Sequence, residues 1–170
     1  MRACVFVRRS GASGLGHVGW AFEQSNGLFY TGAVENPSGS PVEHPSKIGF
    51  WSVKTKNPLK YMAQRDYDSY KIIDLKRGNH VRGWSAVLKV KNSWYTLLFG
   101  NCMDDTYNVL KEYGVDSMPL PGVSITPNNW FDSLRWSKYP VSGNEVKVDD
   151  ALDLTFNGED EFEDLSDKDS

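Results

Sequence analysis

An α+β domain is predicted by three features of the sequence. Runs rich in β-branched and aromatic residues fill much of the first half. An Asn-Gly turn folds two of them into a hairpin. Segments with helix start and stop signals gather mostly in the second half, a partial segregation that argues against a parallel α/β fold.

Taken in order, residues 3–9 (ACVFVRR) read as a strand, and the SGASGLG that follows as a Gly/Ser loop. Residues 17–23 (HVGWAFE) and 28–34 (LFYTGAV) flank the turn QSNG and form the hairpin. ENPSGSPVEHPS is too dense in Pro, Gly and Ser to be anything but loop. GFWSVKT (49–55) and YKIIDL (70–75) are further strands, with a short helix over 57–67 that opens on Asn-Pro. Asn79 caps a helix over roughly 80–92. WYTLLFG fits either the end of that helix or an extended lead-in to the next element. The most helix-like segment is CMDDTYNVLKEYG. There Thr106, Val109, Leu110 and Tyr113 share a face, and Gly114 is a C-terminal stop. Asp104 and Asp105 suit the positive end of this helix and are expected to point to solvent. Pro127 behind Thr126 starts a last helix.

A chain of 170 residues, 39% hydrophobic and 13% aromatic, makes about one domain with a sizeable core. Its net charge of −3 is unevenly placed. Residues 145–170 carry 11 Asp/Glu and 2 Lys, a balance of −9; residues 1–144 carry 17 Lys/Arg and 11 Asp/Glu, a balance of +6. The expectation is a domain over 1–144 and a flexible acidic tail over 145–170, which stays solvated or recruits a basic partner. The positive charge of the body is spread out, with no basic–aromatic stripe, so nucleic-acid binding is not expected. No run approaches the roughly 18 apolar residues of a spanning helix. The start, MRACVFVRRSGASG, is no export signal, and the cytoplasm is the default location. Two cysteines without paired spacing and three scattered histidines predict no disulfide framework, metal site or cofactor.

Candidate chemistry concentrates on Cys102 and His17. A Cys at a helix start meets free N–H groups and the positive end of the helix dipole, which stabilise the nucleophilic thiolate. His17, between Gly16 and Gly19 after a glycine-rich loop, is the candidate base. Equally, a Cys at a helix start is often simply small and buried, as is expected of Cys4. His44, in a Pro-rich loop, and His80, at a helix start, are read as structural or exposed. Trp20, Trp51 and Trp94 are candidates for groove walls, though an aromatic is more often core.

GHVGWAFEQSNGLFYTG (16–32) resembles the histidine hairpin of NlpC/P60 peptidases, a branch of the papain-like thiol hydrolases. GNCMDDTYNVLKEYG (100–114) resembles the nucleophile helix of their circularly permuted members, in which the histidine precedes the cysteine. Lecithin–retinol acyltransferase-like proteins share that order. The resemblance implies a papain-like fold, a small antiparallel sheet with the nucleophile-bearing helix packed against it. It also implies hydrolysis of an amide bond in a peptide or protein conjugate through a thioester, or acyl transfer to a lipid or amine. A non-catalytic interaction module is the alternative from a different class. Family members usually orient the catalytic imidazole with a polar third residue on the return strand. Laying the hairpins together puts Thr31 at that position. Glu35, four residues on and on the same strand face, or Asn36 as the amide version, are the other choices. The Cys102 N–H and Asn101 are the expected oxyanion donors.

Overall fold

The computed structural model describes residues 1–96, 101–124, 126–141 and 163–164. The fold is α+β and its main sheet is antiparallel throughout. Strands β1 (Arg2–Arg8), β2 (His17–Glu23) and β3 (Phe29–Glu35) form a meander. β5 (Gly49–Thr55) joins the outer side of β3, β6 (Ser69–Asp74) the outer side of β1, and β8 (Ser137–Pro140) the far side of β6. A two-stranded ribbon of β4 (Val42–Glu43) and β7 (Tyr95–Thr96) stands apart from this sheet. The helices are α1 (Pro58–Ala63), α2 (His80–Lys91), α3 (Cys102–Tyr113) and α4 (Pro127–Ser133).

The apolar run of β1 follows from its central place. Strand side chains alternate between faces, and both faces here are covered. Ala3, Val5 and Val7 join Trp20, Phe22, Leu110, Tyr113 and Trp130 on the face that α2, α3 and α4 cover. Cys4 and Phe6 join Phe29, Trp51 and the α1 residues Leu59 and Met62 on the other. Cys4 is fully buried, and burial pushes its thiol far up.

Helix ends follow local chemistry. Asn79, Asn101 and Thr126 each accept a backbone N–H from the first turn of the helix they precede. Gly114 ends α3 at φ 119°, where glycine escapes the Cβ clash, and its N–H bonds the carbonyls of Leu110 and Lys111. The helix expected over 57–67 is shorter, stopping at Ala63. The chain after it turns tightly through Asp66 at φ 60°, and the N–H of Tyr67 returns to Met62.

Most of the segment expected to be a free acidic tail lies outside the described residues. Two of its residues, Glu163–Asp164 (β9), pair with Val53 and Lys54 on the open edge of β5. A short strand at a sheet edge satisfies backbone groups that would otherwise face water.

Candidate functional site

His17 opens β2 directly after the loop 9–16, and the packing of that loop sets its position. A Cβ on Gly11 would lie 2.6 Å from the His17 Cβ, so only glycine lets the loop pass. Gly16, at φ 97°, is equally tight against Asn128 of α4. The Asn128 side chain donates to the carbonyls of Arg9 (3.2 Å) and Gly14 (3.1 Å), pinning the loop to that helix. The glycines flanking the histidine thus give room to protein packing: Gly19 backs onto Gly32 and Met62.

Cys102 is the first residue of α3 and is buried. A capping box holds the turn: Asn101 Oδ1 accepts from Met103 N at 2.9 Å and Asp104 N at 3.3 Å, and Asp104 Oδ2 accepts from Asn101 N at 3.4 Å. The Cys102 N–H is at a position that the helix leaves without an internal partner. The Asn101 side chain lines the cavity with its Oδ1 turned to the helix.

The fold brings His17 to Cys102 and to Glu35. The β2–β3 register pairs Trp20 with Gly32, and continued outward it sets His17 opposite Glu35. His17 Nε2 lies 3.2 Å from Glu35 Oε2, an electrostatic contact off the line of an ideal hydrogen bond. Burial by itself lowers the His17 pKa. The nearby Cys102 sulfur and then Glu35 more than reverse this, raising it from an ordinary 6.5 to about 10. Burial likewise raises the Glu35 carboxyl, and His17, Arg8 and the Trp51 indole outweigh it, bringing it to about 2. Both shifts run in the direction that favours an imidazolium beside a carboxylate.

Thr31 is placed away from the His17–Glu35 contact. It pairs with Ala21, its side chain is fully buried, and its hydroxyl donates to the Trp20 carbonyl at 2.8 Å. Matching hairpins by sequence spacing from the turn misses this, because the turn residues and register decide which return-strand side chain reaches the histidine. Asn36 is committed elsewhere, with Nδ2 donating to Ser40 O at 2.9 Å, but it does line the pocket.

The acids of the first turn also depart from expectation. Asp104 belongs to the capping box, and Asp105 is buried. Burial, with Asp104 adding repulsion, raises the Asp105 carboxyl to about 7.

The candidate pair opens on a cavity of about 580 Å³, lined among others by Arg8, Leu15, Glu35, Tyr95 and Met103. Of the three tryptophans, Trp20 is core, Trp51 donates its indole N–H to Glu35 Oε1 at 3.4 Å, and Trp94 is exposed, packed edge-on against His44. His44 caps the 3-10 turn Pro45–Lys47, and His80 opens α2. Arg8, Tyr67 and Tyr95 are site neighbours that the sequence alone does not single out. The signal for Arg8 is that it and Arg2 bracket an apolar buried run, so each basic side chain needs a partner at its end of the strand.

Among the described residues no group of three or more His, Cys, Asp or Glu side chains is placed to hold a metal ion. No described helix is long and apolar enough to cross a membrane. Compared with known proteins, the chain matches no family model, no curated protein and no solved structure.

Proposed function

We propose that the protein is a cytoplasmic thiol hydrolase of amide bonds in a peptide or protein conjugate, with a papain-like arrangement of the permuted NlpC/P60 kind. One observation carries this reading: an imidazole lodged between a thiol at a helix start and a carboxylate, on the wall of a cavity. The sulfur of Cys102 attacks the carbonyl carbon, with the proton resting on His17. The oxyanion is received by the Cys102 N–H and Asn101 Nδ2. As the C–N bond breaks, His17 gives its proton to the departing amine and a thioester remains. Water, deprotonated by His17, then attacks the thioester; the acid leaves and the thiol is restored. Glu35 orients the ring and stabilises its cation.

Alkylation by iodoacetamide across pH tests this reading. Cys102 reacts well below the ordinary thiol range near 8.5, and His17→Ala abolishes that early reactivity. Reactivity that rises only near 8.5 and is indifferent to His17→Ala overturns the hydrolase and leaves a non-catalytic interaction module.

Acyl transfer to a lipid or amine through the same thioester is a second reading; Leu15, 55% exposed, lines the cavity where an acceptor would enter. Added amine that diverts the acyl group from water at millimolar concentration selects transfer over hydrolysis.

A further inference from the structure

Glu35 is held by more than the histidine. Arg8, the last residue of β1, donates from Nη2 to Glu35 Oε2 at 3.0 Å, the same oxygen that His17 Nε2 approaches at 3.2 Å. Two cationic groups meet on one carboxylate oxygen, while Oε1 takes the Trp51 indole. Arg8 is itself fixed from other sides. Its Nη1 donates to the Arg65 carbonyl at 3.3 Å, and its guanidinium lies 5.8 Å from the Tyr67 ring centroid. Tyr67 packs on His17 with centroids 5.9 Å apart, and Arg65 stacks on Trp51 at 3.9 Å. The guanidinium is therefore placed by a backbone carbonyl and an aromatic face, and Glu35 is placed by the guanidinium.

We propose that Arg8 is a positioning residue that divides Glu35 between a guanidinium and the His17 imidazole, fixing the carboxylate and limiting how tightly it holds the ring proton. The catalytic meaning of this inference rests on the proposed Cys102–His17 chemistry; the division of Glu35 itself does not. A histidine that must return its proton to a leaving amine works best with a pKa near the operating pH. Cys102 and Glu35 both push His17 the other way, to about 10. The groups around the ring are Cys102 from α3, Glu35 from β3, Arg8 from β1 and Tyr67 after α1; Tyr95 lies near the sulfur and feels Asp105 beyond it. Tyr67, driven far above its ordinary value by burial, stays neutral. Arg65 is one ring removed, on Trp51. Arg8 is thus the cation that tempers the carboxylate.

The test uses the full chain in a Cys102→Ala background, so the ring reports only the balance between Glu35 and Arg8. The His17 ring is titrated by NMR and its signal identified by its loss in His17→Asn. Arg8→Gln moves the titration up by roughly half a pH unit or more, because Glu35 then serves the imidazole alone. Glu35→Gln moves it down. Arg8→Lys, which keeps a cation, stays closer to the parent than Arg8→Gln. Arg8→Met, which keeps the stem against Tyr67, gives the upward shift in a second packing context should Arg8→Gln fold poorly. Opposite shifts from Arg8 and Glu35 are the signature that general loosening of the site does not produce. A titration unmoved by Arg8→Gln or Arg8→Met, or moved down as in Glu35→Gln, overturns the inference. No substrate enters the measurement, so its failure is distinct from a failure of the alkylation test.

Discussion

Arg2 and Arg8 stand at opposite ends of β1, and each meets a glutamate at the end of another strand. Arg2 grips Glu23 with two parallel bonds, Nε to Oε2 at 3.1 Å and Nη2 to Oε1 at 2.8 Å. The pair is closed in, with side chains 9% and 14% exposed, and the Tyr113 hydroxyl ties the Glu23 carbonyl to α3 at 2.7 Å. Arg8 reaches Glu35 through one bond only, in a pair 26% and 23% exposed on the cavity wall. The forked pair spends both carboxylate oxygens on one guanidinium. The single-bonded pair leaves its carboxylate to be shared with an indole and an imidazole. The same two residue types thus fasten the sheet at one end and set the charge on a histidine at the other. The number of bonds they make to each other decides which.

Substituting each glutamate in turn separates the two roles. Glu23→Gln removes the carboxylate that forks onto the buried Arg2 and costs about 3 kcal/mol of stability, read by urea unfolding. The alkylation rate of Cys102 does not change. Glu35→Gln has the inverse profile. Alkylation at pH 7 slows about 10- to 100-fold as the imidazolium loses its support, while stability falls by about 1 kcal/mol. Equal effects of both substitutions on both readouts would erase the distinction between the ends.

A smaller effect sharpens the comparison within α3. Asp105 is a buried acid beside another acid, Asp104, so its carboxyl is raised to about 7, whereas Glu35, beside Arg8 and His17, is lowered to about 2. An acid whose folded pKa exceeds its unfolded one binds its proton more tightly when folded. Stability from Asp105 is therefore present below its unfolded value near 3.9 and is lost as pH rises through about 7. Asp105→Asn removes that loss and gains roughly 1–2 kcal/mol on the parent between pH 5 and 8, in paired urea titrations. A constant difference across that range would show that the carboxyl is not protonated in the fold.

Local structure was largely legible because its determinants are near neighbours. The hairpin strands fall within a residue of their expected ends, β5 matches its expected span, and Thr126 and Gly114 act as the cap and stop they resemble. Each depends on hydrogen bonds spanning a few residues, or on an alternation the side chains display directly. The placement of Cys102 at a helix start belongs to the same class. The capping box is written in the sequence too, since Asn101 and Asp104 have the required spacing.

By itself, then, the sequence determined an α+β chain with a cysteine at a helix start and a histidine at a strand start. Only the tertiary structure decided that those two side chains meet, that Glu35 and not Thr31 stands behind the ring, that Arg8 shares Glu35, and that Asp105 is buried. The physical reason is register and burial. Which side chain lies across a strand depends on the whole pairing, and whether an acid keeps its charge depends on what packs over it from distant parts of the chain.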